Sequence, residues 1–201
     1  MKYDEVNLEE SKSNRDIQAE LSKQKLFNSA FELFSKRPYH KVKIRDICND
    51  AGVSVGLFYH YFLSKEALYN ETFVYYMNHD KRSYDVDSSN PIDSIKRIIA
   101  TNISGFVEMG PIFTNKFLVN ELLTNYEYLN DDSRKFNKAI IQCIDNAIEH
   151  ELLYGNQGEI AQDIFHVLKG IGFNWAINGG NFDFIAACIR MVDIIIANYS
   201  V

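Results

Sequence analysis

Proline is scarce in this chain, at three residues in 201, and glycine is held to ten. So few breaks favour long helices over many short strands joined by tight turns. Cysteine is as sparse: Cys48, Cys143 and Cys188 lie far apart and form no CxxC pair or His/Cys ligand spacing. Each stands among apolar neighbours, so three small buried thiols are expected, with no disulfide and no metal site. No apolar run reaches the length of a membrane span, and no membrane partner is expected. The opening MKYDEVNLEESKSN is polar and charged, which argues against a signal peptide or anchor and for a cytoplasmic protein. A Gly-rich phosphate loop, a nucleophile elbow and a carboxylate–His motif are also missing, so neither enzyme chemistry nor a cofactor is expected. Repeats and low-complexity tracts are absent too.

Hydrophobic residues make up 46% of the chain, enough to bury a sizeable core. The net charge of −6 is unevenly spread. Between Arg15 and Glu66, nine basic residues stand against six acidic ones, leaving twelve against 21 elsewhere. Lys36, Arg37, Lys41, Lys43 and Arg45 fall inside ten residues. This is the pattern of a small basic module on an acidic body. Standing alone, the cluster would read as an ordinary solvated patch.

It does not stand alone. Leu26, Phe27, Ala30, Phe31 and Phe34 recur at helical steps, predicting an amphipathic helix over residues 16–35. Pro38 interrupts it. A short helix is predicted over 43–51, ended by Gly52 in a left-handed cap. Ser54 then caps a third helix over 55–61, and Ser64 opens a fourth that runs through LYNETFVYYMNH. Two short helices joined by a glycine-containing turn are the layout of a helix-turn-helix. In AGVSVGLFYHYFLSKEAL, Phe58 and Phe62 are expected to hold the third helix inward. The remaining bulky groups stay exposed for a partner, and a helix of this size fits the DNA major groove.

The stretch KVKIRDICNDAGVSVGLFYHYFLSKEAL resembles the DNA-binding signature of the TetR family of bacterial transcriptional regulators. Ile47, Ala51-Gly52-Val53-Ser54, Gly56, Tyr59, Phe62 and Ser64-Lys65-Glu66 all fall at the family's spacing. The resemblance covers about residues 17–70. It implies an all-α homodimer: an N-terminal three-helix helix-turn-helix domain (1–62, with an N-terminal arm) and a C-terminal helical domain (63–201) for ligand binding and dimerisation. It also implies a double-stranded DNA operator as partner and release by an unknown small-molecule effector. Contacts to bases carry over to Lys43, Arg45, Ser54, Val55, Gly56 and Leu57, and contacts to phosphates to Tyr59, His60 and Lys65. Two features depart from the family pattern. Val42 and Lys43 stand where a Thr or Ser usually caps the second helix. Val55 and Leu57 replace polar groups in the recognition helix, and such groups meet thymine methyls but make no bidentate hydrogen bonds.

Beyond residue 90 every segment reads as helix. Helices are predicted from Asn90-Pro91 to Gly110-Pro111, through IFTNKFLVNELLTNYEYL, and from Asp131 or Asp132 to the glycines at 155–158. The segment SYDVDSSN (83–90) reads as a flexible link. The last two helices, EIAQDIFHVLKGIGFNWAI and FDFIAACIRMVDIIIANY, are apolar nearly all round and need cover on every side. A second copy of the chain supplies that cover in a two-fold four-helix bundle, with Phe165, Leu168, Gly172, Ile185, Ile189, Val192 and Ile195 as interface candidates. The alternative is burial within one chain. Phe73, Met77, Phe106, Phe113, Phe117, Asn120 and Trp175 are the candidates for an effector pocket, each also readable as ordinary core. Tyr76, Asn102, Tyr126, His166 and Asn174 belong to the same aromatic and polar set, and His166 has no partner at metal-ligand spacing. A second functional reading is a DNA-tethered adaptor whose body binds another protein instead of a metabolite.

Overall fold

The computed structural model describes residues 14–79, 84–124, 128–131 and 134–201. The expected arm (1–13) and Tyr126 lie outside them. Among the described residues the regular structure is helical, apart from one isolated antiparallel bridge between Leu153 and Ser200. In chain order the helices are α1 (Asn14–Lys36), α2 (Ile44–Ala51), α3 (Val55–Tyr61), α4 (Lys65–His79), α5 (Pro91–Thr124), α6 (Lys135–Glu149), α7 (Gln157–Ile177) and α8 (Phe184–Tyr199). Short 3-10 turns lie at Tyr39–Lys41 and Tyr128–Asn130. The all-α expectation holds. α1 packs on α2, α4 and α5, while α5 to α8 pack on one another as the body.

Local chemistry explains the boundaries in the head. Gly52 ends α2 in the left-handed region, at φ 67 and ψ 34. Ser54 caps α3 by accepting the Leu57 N–H at 3.1 Å, and Ser64 caps α4 by accepting the Ala67 N–H at 3.0 Å. At α2 the missing Thr or Ser is partly replaced from within. Asp46, on the first turn, accepts the N–H of the N-cap residue Lys43 at 3.0 Å, the reciprocal half of a capping box.

α5 is two helical limbs, not one rod. Gly110 adopts φ 79 and ψ 162, a conformation open essentially to glycine alone, and Pro111 follows it. The predicted stop at Gly110-Pro111 is therefore real. Two other expectations need correction. The segment 84–90 is held in place: Tyr84 donates its hydroxyl to Asn102 Oδ1 at 3.1 Å, and the Asp87 N–H donates to Ser94 Oγ at 3.1 Å. α6 also ends at Glu149, well before the glycines at 155–158. Glu151 turns the chain at φ 58, and the Leu152 and Leu153 N–H groups return to the Ala147 carbonyl. Leu153 is thereby delivered to its bridge with Ser200 at the end of α8.

An aromatic seam joins head to body. Phe31 of α1 stacks on Tyr76 of α4 at 4.2 Å, and Phe34 meets Tyr69 edge-on at 4.8 Å. Tyr69 stacks on Phe113 of α5 at 4.5 Å and donates its hydroxyl to the Phe113 carbonyl. Further along, Phe73 lies face to face with Phe117 at 3.4 Å. Polar links run beside the rings: Lys116 pairs with Glu66 at 3.2 Å, and Asn120 donates to Asn70 at 2.8 Å.

Candidate nucleic-acid interface and cavity

α3 sits on a fully packed base. Leu26, Ala30 and Phe34 of α1, Ile47 and Cys48 of α2, and Phe58 and Phe62 are all buried. Phe58 is the one residue of α3 that is fully buried, so the rest of this seven-residue helix faces outward or is half-covered. Val55 is 38% exposed and Tyr59 53% exposed, large values for such groups on a head this small. Ser54, Gly56 and His60 are exposed, Leu57 is half-buried, and Lys43 and Arg45 at the start of α2 are exposed. A Cβ added at Gly56 would meet only Ser54 Oγ, at 3.8 Å, so this edge is open. From Val53 to Lys65 the sequence contains no carboxylate. Nothing on the recognition helix itself repels a phosphate backbone.

Lys65 is engaged by the protein itself. Its ammonium donates to the Tyr39 carbonyl at 2.8 Å and the Val42 carbonyl at 2.9 Å, and it lies 3.9 Å from the centre of the Tyr39 ring. Lys116 of α5 stands over the same ring at 4.7 Å. Burial and the neighbouring Lys116 push the Lys65 pKa down, and Glu66 opposes them. Burial, with Glu66, raises the Tyr39 hydroxyl to about 12, so it stays protonated. In this geometry Lys65 braces the start of α4 against the turn before α2. Lys65→Met is accordingly expected to cost about 2 kcal/mol, from the loss of charge-assisted hydrogen bonds. In a chain of this size that lowers the melting temperature by roughly 4–8 °C, while the salt dependence of DNA binding stays unchanged. An unaltered melting curve with a salt slope reduced by about one would return Lys65 to the phosphates.

The body holds a narrow, part-open cavity of about 70 Å³. α5 contributes Asn102, Ile103, Phe106, Thr114 and Leu118, α6 gives Phe136 and Asn137, and α7 gives Phe165, Leu168, Lys169 and Gly172. Phe184 of α8, Leu129 and Arg134 complete the wall. Of the seven pocket candidates only Phe106 is on it. Phe73, Phe113 and Phe117 are fully buried in the seam, Met77 is core, and Asn120 is bonded to Asn70. Trp175 is buried behind the wall, stacked on Phe184 at 5.0 Å. Three interface candidates, Phe165, Leu168 and Gly172, line the cavity. A Cβ at Gly172 would stand 3.1 Å from Phe184, so close approach of α7 and α8 explains that glycine.

Val192 is fully buried, and Ile185, Ile189 and Ile195 are half-buried against the core. The apolar groups that α7 and α8 leave uncovered are Phe173, Ile177 and Ile194, beside a broad groove that includes Val167, Ile171, Ala187 and Met191. The cysteines are free and buried as expected, with burial raising the Cys143 thiol to about 11 and the Cys188 thiol to about 12. Among the described residues no helix is long and apolar enough to cross a membrane.

Residues 26–72 match the family model described as bacterial regulatory proteins, tetR family. Over these residues the head is similar to the TetR family. A stretch of 55 residues is 36% identical to the HTH-type transcriptional regulator UidR of Escherichia coli (strain K12), covering 27% of this chain and 28% of that protein. The match thus spans little more than a quarter of the relative's own length. The likeness of fold runs much further than that of sequence. A TetR transcriptional regulator from Agrobacterium tumefaciens superposes over 90% of this chain and 94% of its own, with a TM-score of 0.69 at 11% identity. The transcriptional regulator FadR from Bacillus subtilis, in complex with stearoyl-CoA, covers 87% of this chain and 97% of its own, with a TM-score of 0.57 at 16% identity. The fold shared with these neighbours is a helix-turn-helix head on a helical body. Sequence reasoning missed Arg134, Lys169, Phe136 and Phe184 as cavity residues. Arg134 in SRKFNK reads as a solvated helix start, and only the turn at Tyr128–Asn130 carries it to the wall.

Proposed function

We propose that the chain is a DNA-binding transcriptional regulator, a homodimeric repressor that a small apolar or aromatic effector releases from a double-stranded operator. The observation that carries this reading is the outward presentation of Lys43, Arg45, Ser54, Val55, Gly56, Tyr59 and His60 on a buried scaffold. Residues 1–62 form the reading head in this view, and residues 63–201 the effector and dimerisation body. Two heads related by a two-fold axis would engage two half-sites about one helical turn apart or a multiple of it. The uncovered Phe173, Ile177 and Ile194 support a partner copy on α7 and α8. The cavity favours a small-molecule sensor over a DNA-tethered protein adaptor, and a neighbour in fold holds stearoyl-CoA. A ligand releases DNA only by binding the non-binding arrangement more tightly, so operator DNA must weaken effector binding by the same factor.

Selection of bound duplexes from a random pool tests the head. The expected product is a palindromic site, and Leu57→Ala is expected to relax preference at one symmetrical pair of positions, where the aliphatic group meets a thymine methyl. Recovery of an asymmetric single half-site, or of no preferred sequence, would overturn the regulator reading. An unchanged motif for the Leu57 variant would remove base readout from that residue alone.

A further inference from the structure

We infer that α3 reads the methyl groups of pyrimidines, so that cytosine methylated at C5 is accepted in place of thymine where bare cytosine is rejected; this rests on the head being a DNA reader. The side chains that α3 lacks carry the inference. Two-pronged hydrogen bonding to guanine takes Arg or Lys and to adenine Asn or Gln, while the cytosine amino group calls for Asp or Glu. From Val53 to Lys65 none of these occurs except Lys65 itself. The Lys65 ammonium is occupied within the protein, donating to the Tyr39 and Val42 carbonyls. Ser54 and Ser64 are engaged as caps, accepting the Leu57 and Ala67 N–H groups. Tyr59 and His60 are the exposed polar side chains on the helix, and both come after the buried Phe58.

Ahead of Phe58 the side chains of α3 are aliphatic or absent. Val55 is exposed and Leu57 half-buried, and Gly56 between them holds nothing that would keep a base edge away. The fold also keeps these methyls still. Phe58 has no exposed surface and packs on Phe62 at 5.7 Å, which fixes the face that α3 turns outward. Valine in a helix has essentially one side-chain rotamer, so its two methyls are placed before any partner arrives. A rigid aliphatic surface in the major groove gains by covering the C5 methyl of thymine, and a methylated cytosine offers the same group at the same place. Bare cytosine offers none, and its amino group would lose water with no acceptor supplied in return. Discrimination by α3 is therefore a test for a methyl, and hydrogen bonds to bases fall to Lys43 and Arg45, exposed on α2.

The selected operator is resynthesised with deoxyuridine for thymine, one symmetrical pair at a time, and its affinity for full-length protein is measured. Deoxyuridine removes the methyl and leaves every hydrogen-bonding group in place. At one pair or more the affinity is expected to fall about 15-fold, about fourfold for each methyl no longer covered. At that pair, 5-methylcytosine opposite guanine is expected to bind more tightly than cytosine opposite guanine by the same factor. The deoxyuridine penalty is expected to vanish in Val55→Ala or in Leu57→Ala, according to which side chain covers the methyl. Val55 is already exposed, so its truncation should leave the melting curve in place. Deoxyuridine tolerated within about twofold at every thymine, or a penalty that persists in both variants, would overturn the methyl inference and leave the regulator reading standing. A random pool that yields no preferred duplex would overturn both.

Discussion

Ile194→Glu is expected to leave a folded monomer and to lower operator affinity by about 10²- to 10⁴-fold, the gain normally supplied by linking two binding modules. Ile194 is 56% exposed on α8, close in character to Ile177 on α7 at 54%. A carboxylate at that position meets water in the isolated chain, so folding is little affected. In a two-fold interface the same substitution appears on both sides, where two buried like charges repel and neither finds a partner. Val192 is no substitute for this test, since it is fully buried and a charge there would unfold the body. Light scattering of the variant, set beside its melting curve and its affinity for the selected operator, separates the outcomes. A folded dimer with unchanged affinity would move the interface away from α7 and α8.

Phe73→Ala is expected to cost about 3–5 kcal/mol, the usual loss for emptying a buried aromatic site. Phe73 has no exposed surface, lies 3.4 Å face to face with Phe117, and meets Tyr128 edge-on at 5.7 Å and Phe106 at 5.6 Å. Few side chains here touch so many rings at once, and neighbours locked in their own stacks collapse poorly into a void. With total stability of about 5–15 kcal/mol for an ordinary domain, such a loss is a large share. Urea unfolding should show a lower midpoint at an unchanged slope. Phe73 also stands between α4 and the cavity residue Phe106, so any effector that still bound would be expected to release DNA less well. A cost under about 1 kcal/mol would mean the seam repacks without it.

The head was legible because its signals are local. Gly52, Ser54 and Ser64 act on backbone groups within three residues, so sequence alone located the turn and both caps. The lost cap at Val42-Lys43 was legible too, but its replacement by Asp46 was visible only as geometry. Lys65 shows the limit of resemblance: its position in the motif was right, while its ammonium closes on carbonyls 23 and 26 residues away in sequence. In the body, composition announced many aromatics without saying which would stack and which would border a void. Phe106 and Phe113 differ by seven residues and a helix break, yet one lines the cavity and the other fills the seam. α7 and α8 were apolar on nearly every face, and a pattern with no polar side gives no direction. Phe165 and Leu168, offered as interface residues on that pattern, are half-buried and border the cavity.

The break at Gly110 has a consequence for how such a protein can change over generations. A straight helix of 34 residues would reach about 51 Å and carry every substitution along one continuous rod. Here the first limb presents Asn102, Ile103 and Phe106 to the cavity, while the second adds Thr114 and Leu118 to that wall and presents Phe113, Lys116 and Phe117 to α4. Because the joint is a backbone state that side chains do not set, residues on the first limb can be exchanged without re-aiming the second. New chemical preferences are then open to point mutation while the attachment of the reading head is inherited unchanged. A residue other than glycine at position 110 would end that independence, since the strain would have to be relieved by shifting one limb against the other.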